Sequence, residues 1–259
     1  MAYSSAEVLV AEGPGDVASA ACRLVLDAER AAIEDHGTFS IALAGGSTPK
    51  RLYELLATSE TATFPRWKVF FGDERWVPAN DPDSNWRMAR EALLDHVPIP
   101  RNQIHPIDTG AGTPAKAAML YSLVIDRTVA RADGGCPRFD VVLLGLGADG
   151  HTASLFPGSS ALVAAPNEIA VATWAPSQRA WRVTLTAGVL SAARSIVFLV
   201  SGEEKAEALS RVLDGAPSVA GAAPPVQQAA PPAALIRPHD DASLAFVVDR
   251  AAARQLRNL

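Results

Sequence analysis

Apolar residues along this chain alternate between a helical spacing and short unbroken runs. Between residues 16 and 35, Val17, Ala20, Ala21, Leu24, Ala28, Ala31 and Ala32 recur at intervals that line one face of a helix, and Gly37 stands where that helix should stop. The next run, FSIALAGG, is short, apolar and ended by glycines, which predicts a strand. The alternation continues with a helix from Pro49, the run WKVFFGD, helices over about 84–96 and 114–132, and the run FDVVLLG. Further runs are EIAVATW, RVTLT, SIVFLVSG and LAFVVD, with helical stretches over 186–194, 203–213 and 249–256. Strands alternating with helices predict an α/β fold, a mostly parallel sheet with helices on both faces.

Several predicted strands run into loops rich in Gly, Ser, Asp or Arg: AGGSTP, GDER, GLGADGH and SGEEK. In an open parallel sheet the carboxyl ends of the strands share one edge, where ligands bind, so these four loops are expected to converge. Residues 216–238 stand apart, with six prolines and many alanines. They read as an extended surface loop, and PPVQQAAPP does not suit a helix. Only about twenty residues come after it, too few for another domain, so the expectation is one α/β domain over 1–259.

Composition narrows the class. With 49% hydrophobic and 20% charged residues in 259, the chain has the balance of a soluble globular protein and the length to bury a sizeable core. A net charge of −5 and no basic cluster argue against a nucleic-acid surface, and an anionic ligand would need locally placed cations. No stretch approaches the roughly 18 consecutive apolar residues of a membrane span, and the N-terminus lacks a signal-peptide pattern. Cys22 and Cys136 are far apart and form no CxxC, so free thiols in a cytoplasmic protein are expected. Without HExxH, paired histidines at ligand spacing or a cysteine cluster, no metal site is expected.

The stretch from Gly145 to Gly150, GLGADG, has formally the GxGxxG spacing of a dinucleotide-binding turn. Such a turn opens directly into a helix and is trailed, about twenty residues on, by an acidic residue ending the next strand. Here Pro157 and Gly158 would break a helix begun at that turn, and the next run ends at Thr173, Trp174 and Ala175 without a carboxylate, which argues against a dinucleotide. His151 comes just after the glycine turn at the end of a buried strand, where an imidazole can meet solvent and titrate near neutrality. Asp149 is placed to orient that ring or raise its basicity. His36, His96, His105 and His239 have no such position and are read as ordinary hydrogen-bonding side chains.

AGGSTPKRLYELL puts Gly45, Gly46, Ser47, Thr48 and Pro49 at a strand-to-helix junction. Pro49 suits a first helical turn, Ser47 or Thr48 can cap it, and the glycines let an anion approach free N–H groups at the positive helix end. A phosphate cradle and ordinary capping both fit. The motif is neither GxxxxGK[ST] nor GxSxG, against a P-loop enzyme and a serine esterase. Asp73, Glu74 and Arg75 come after a buried strand, a cluster that suits sugar hydroxyls or a developing oxyanion as well as plain surface decoration. Arg182 opens RVTLT, and Lys205 stands in the first turn of a helix, where the dipole disfavours a cation unless an anion is bound. Solvated surface cations are the plain alternative for both. Together these residues point to a phosphorylated small molecule handled by a histidine base, with the reaction left open.

LAGGSTPKRLYELL, VFFGDERWVPANDPDSNWRMAREALL, FDVVLLGLGADGHTASLFPGS, RVTLTAGVLSAARSIVFLVSGEEKAEAL and the closing VVDRAAA resemble the 6-phosphogluconolactonase family, over about residues 7 to 256. The resemblance implies a Rossmann-like sheet of the deaminase and ribose-5-phosphate isomerase-like superfamily. It implies hydrolysis of 6-phospho-D-glucono-1,5-lactone in the oxidative pentose phosphate pathway, with no cofactor. By the same resemblance Ser47, Thr48, Arg182 and Lys205, beside Gly45 and Gly46, hold the substrate phosphate. His151 is then the general base, Asp149 orients it, Arg75 stabilises the carbonyl oxygen and Asp73 positions sugar hydroxyls. The expected partner is a phosphorylated sugar lactone, with no nucleic acid, no membrane and no obligate protein partner. Glucosamine-6-phosphate deaminases resemble the chain in the phosphate loop, the DGH turn and the late lysine. They continue after DGH with Asn-Glu-Pro, whose glutamate assists ring opening, where this chain has Leu155, Phe156 and Pro157. Deaminase or sugar-phosphate isomerase activity and a non-catalytic sugar-phosphate sensor are the rival readings. Phe246 stands where lactonases often carry a tryptophan, in an expected core strand.

Overall fold

The computed structural model describes residues 6–131, 135–214 and 230–257. The chain runs from β1 (Glu7–Ala11) through α1 (Pro14–His36) and β2 (Phe39–Leu43) to α2 (Ser47–Ala57). Next come β3 (Trp67–Phe71), β4 (Asp73–Arg75) and α3 (Asn85–Ala89), which continues as a π-helical turn over Arg90–Leu94. After these stand α4 (Pro114–Thr128), β5 (Val141–Gly145), β6 (Ala170–Ala175), β7 (Ala180–Leu185) and α5 (Ala187–Ser191). β8 (Ser195–Val200) leads through a 3-10 turn over Glu203–Lys205 into α6 (Ala206–Leu213), and β9 (Ser243–Asp249) precedes α7 (Arg250–Ala253).

Six strands form a parallel sheet in the order β1-β9-β8-β5-β2-β3. Every residue of β2 is buried, as are five of the six in β8, which requires cover on both faces and explains why these strands read as unbroken apolar runs. α1 packs against β1, β8, β9 and α2, and α7 against β1 and β9. Val17, Ala21 and Val25 of α1 and Leu52 and Leu56 of α2 are fully buried, the inner faces set by their spacing. Each of those leucines contributes roughly 2 kcal/mol by leaving water. No helix among the described residues is long and apolar enough to cross a membrane.

The mostly parallel expectation holds for the six-stranded sheet, and three strands lie outside it. β4, β7 and β6 form a separate antiparallel sheet in that order. Only residues 176–179 separate β6 from β7, far fewer than a parallel crossover needs, so EIAVATW and RVTLT pair as a hairpin. α4 packs against this hairpin, and Val183 and Leu185 join the same apolar cluster as the main sheet.

Other boundaries also move. The helix expected over 114–132 ends at Thr128, and those over 186–194 and 249–256 shorten to α5 and α7. β1 escaped notice because an edge strand with exposed positions makes no solid apolar run. Of the proline- and alanine-rich stretch, residues 216–229 lie outside the described residues. Its end is not the surface loop expected: a 3-10 turn over Pro232–Leu235 buries Pro232, Ala233 and Ala234, and Ile236 is fully buried.

In the sheet, β5 lies between β2 and β8. The chain leaves β2 for β3 on one side and β5 for β8 on the other. The carboxyl ends of β2 and β5 therefore flank a switch point, where diverging loops open a crevice.

Candidate active site

The loops after β2, β3, β5 and β8 converge at that crevice around a cleft of about 340 Å³. Gly45, Gly46, Ser47 and Thr48 line it from the start of α2, Asp73 and Arg75 from β4, His151 from the turn after β5, Arg182 from β7 and Lys205 from the start of α6. Asp149 reaches the cleft only through His151.

The turn after β5 closes on itself. Gly150 donates its N–H to the Gly147 carbonyl (2.9 Å), and Gly147 donates its own to the His151 carbonyl (2.8 Å). Oδ1 of Asp149 accepts from the His151 backbone N–H (3.1 Å) and lies 2.6 Å from Nδ1 of the imidazole. Burial opposes ionisation of Asp149, but the hydrogen bonds from His151 outweigh it and hold the carboxyl below its ordinary value. An ionised carboxylate only accepts, so Nδ1 carries the proton it receives, and in the neutral ring the lone pair then lies on Nε2. A Cβ on Gly147 would overlap both the imidazole and the Asp149 carboxylate. The glycine spacing that mimics a dinucleotide turn thus makes room for an imidazole–carboxylate pair. Phe156 lies against the imidazole with ring centroids 4.5 Å apart.

At the other end, Gly46 is the N-cap of α2 and no side chain caps the helix. Neither Ser47 nor Thr48 takes the capping role that the sequence allowed. The first-turn N–H groups have no intrahelical acceptor, and with the two hydroxyls they form a donor-rich wall. Lys205 is mostly buried, with Nζ 3.8 Å from Oε1 of Glu204, which also lines the cleft.

Arg75 and Arg182 face each other across the β4–β7 ladder. Burial lowers the pKa of the Arg182 guanidinium; Asp73 opposes the shift and the like charge of Arg75 adds to it. Like charges directly opposite in a sheet repel, and a bound anion relieves them. Arg75 also donates from Nη1 to the Asp83 carbonyl (2.5 Å). Asp73 accepts from Oγ of Ser154 (2.5 Å) and Nδ2 of Asn85 (3.2 Å), which fixes its carboxylate at the cleft edge. Glu74 plays a different part: it is buried and accepts from the backbone N–H groups of Arg75, Asn85 and Trp86, holding the start of α3. Burial raises its pKa against those hydrogen bonds.

A family model described as glucosamine-6-phosphate isomerases/6-phosphogluconolactonase matches residues 12–245. The chain belongs to this family. It is 45% identical to the 6-phosphogluconolactonase of Synechocystis over 181 residues, covering 70% of this chain and 74% of that protein. Against the 6-phosphogluconolactonase of Nostoc the identity is 43% over 195 residues, 75% and 79% of the two chains. The solved structure of the Trypanosoma cruzi 6-phosphogluconolactonase superposes with a TM-score of 0.84 at 32% identity, covering 96% of each chain.

Within this family member's cleft, sequence reasoning missed Asn85, Ser154, Phe156, Gln178 and Ser201 as lining residues. The Asn85 carboxamide occupies the space where Gly45 lacks a Cβ, and so ties the loop after β2 to Asp73. Among the described residues, Oδ1 of Asn85, Nε of Arg182 and Oγ of Ser201 are buried without a protein hydrogen-bond partner. An unpaired buried polar atom costs about 1–3 kcal/mol. Three around one cleft mark a place prepared for polar company. Ser84 and Asn85 did carry a legible signal, that of a helix start, and Ser84 is the N-cap of α3. Gln178 carried none, because a hairpin tip reaches the cleft only through tertiary placement.

Proposed function

We propose that the protein hydrolyses 6-phospho-D-glucono-1,5-lactone to 6-phospho-D-gluconate, the lactone-opening step of the oxidative pentose phosphate pathway. One observation carries the chemistry: Asp149 engages Nδ1 of His151 and leaves Nε2 as the basic nitrogen at the cleft wall. Nε2 takes a proton from water as the water oxygen attacks C1. Negative charge gathers on the carbonyl oxygen beside Arg75. Collapse breaks the bond between C1 and the ring oxygen, and the imidazolium returns the proton to that oxygen, which becomes the C5 hydroxyl. One water is added and no cofactor is consumed. Such a base is worth roughly 10²–10⁴ in rate, and one oxyanion donor about 2.7–4 kcal/mol.

Ser47, Thr48, Arg182 and Lys205, with the N–H groups beside Gly45 and Gly46, hold the phosphate, and Asp73 sets the sugar hydroxyls. Anchoring the far end converts binding energy into orientation at C1. Phe156 occupies the position at which the resembling deaminases carry their glutamate, so the carboxylate of that chemistry is missing beside the imidazole. The two free cysteines support the cytoplasm as the compartment. A single domain is supported by the apolar cluster that both sheets share.

The test monitors the opening of freshly generated 6-phosphoglucono-δ-lactone, with gluconolactone in parallel and the uncatalysed rate subtracted. Acceleration of the phosphorylated lactone alone is the expected result. No acceleration above background sinks the reading, and ammonia release from glucosamine 6-phosphate would move the protein to the deaminase branch. His151→Ala should lower kcat at least about a hundredfold.

A further inference from the structure

The turn that carries His151 is supported from a distant part of the chain. Its described hydrogen bonds close within residues 147–151, save one: the Ala233 N–H donates to the Gly150 carbonyl at 3.0 Å. Pro231 sits so close to the same residue that a Cβ on Gly150 would overlap the proline's Cβ. Gly150 has φ +84°, a left-handed conformation that glycine adopts without strain. The turn is thus pressed at its apex by Pro231 and hydrogen-bonded there by Ala233.

The supporting segment is itself fixed. Ala233 and Ile236 are fully buried, and the Arg237 N–H donates to Oγ of Ser191, the last residue of α5 (3.0 Å). The segment also packs against α6, the helix that starts just after Lys205. The Asp149–His151 hydrogen bond aligns the ring within the turn, and Oγ1 of Thr152, the next residue, donates to the Gly145 carbonyl at the end of β5 (2.8 Å), while the Gly150 apex is held from outside by Pro231 and Ala233.

We infer that Pro231 and Ala233 are positioning residues for the reaction: they hold the Gly150 apex so that Nε2 of His151 points at the attacking water. Neither lines the cleft, and both act through the turn. Their role rests on His151 being the base.

The experiment is a double-mutant cycle on the full-length protein, read as kcat and KM for the phosphorylated lactone. Ala233→Pro removes the N–H. In the wild-type background it lowers kcat by about ten- to a hundredfold with KM unchanged, the cost of a slightly misplaced catalytic group. In a His151→Ala background it lowers the residual rate no further. Equal losses in both backgrounds would make the segment a general fold element and overturn the inference. Near-normal turnover of His151→Ala by itself would instead overturn the base assignment, so the two failures are distinct.

Should Ala233→Pro fail to fold, Pro231→Gly and Pro231→Ala serve in its place. Alanine keeps the Cβ that abuts Gly150 and glycine removes it. Wild-type kcat for the alanine variant and a severalfold loss for the glycine variant, with the same KM, is the expected pair. Identical kcat for both would overturn the inference.

Discussion

The glycines at the two ends of the cleft, Gly147 and Gly150 against Gly45 and Gly46, differ in what fills the space a Cβ would take. At the base end, the missing Cβ of Gly147 is occupied by the His151 ring and the Asp149 carboxylate, and that of Gly150 by Pro231. At the proposed anchoring end the space beside Gly45 is likewise taken, by the Asn85 carboxamide, but a Cβ on Gly46 would meet nothing nearer than the Pro49 ring at 3.9 Å. The protein itself fills the space at Gly147, Gly150 and Gly45, and Gly46 alone of the four keeps it open for an anion. A single glycine-rich pattern therefore does not announce a phosphate. The deciding question is whether the vacated volume is already taken.

Substitutions that fill each space should separate the two ends. The largest effect is expected for Gly147→Ala, whose Cβ displaces the imidazole: kcat should fall at least about a hundredfold while KM changes little. Steady-state kinetics decide, and a large rise in KM with kcat preserved would reverse the assignment of the ends. Lys205→Ala would remove the charge-assisted hydrogen bond proposed to the phosphate, worth about 1.5–3 kcal/mol, so KM should rise roughly ten- to a hundredfold. An unchanged KM would take Lys205 out of the phosphate site. Gly46→Ala comes next, since its φ of +107° and ψ of 173° belong to a region that costs other residues about 1–3 kcal/mol. Weaker binding of inorganic phosphate, measured calorimetrically, is the expected readout. Phe156→Leu should be mildest: an aromatic contact worth about 0.5–1.5 kcal/mol predicts a two- to tenfold loss in kcat.

How much of this was legible in the sequence differs between the two sheets. The parallel strands announced themselves because burial on both faces forces continuous apolar runs, as in FSIAL and SIVFLV. The antiparallel sheet hid inside the same pattern, although the short PSQR connection between its two long strands could only be a hairpin. In the sequence β4 has the look of a loop, three charged residues in a row, yet two of them are buried. In the cleft, the residues at strand ends were legible from position. Asn85 was legible only as part of a helix start and Gln178 not at all, because their place in the cleft depends on the whole topology. Ser47 and Thr48 were found for two reasons at once, and the structure sides against capping. The resemblance named the reaction; the spacing of the residues alone did not.

The guanidinium of Arg75, which faces Arg182 across the β4–β7 ladder, bears on the end of the proposed catalytic cycle. In that reaction the lactone would bring Arg75 a neutral carbonyl, whereas ring opening would leave a full carboxylate at the same place. The product would therefore bind Arg75 more tightly than the substrate. Asp73, held by Ser154 and Asn85, would counter this by repelling the new anion. On the proposed mechanism, departure of the product rather than attack by water would be the step most exposed to ionic strength, and dissolved salt should speed release by screening these charges.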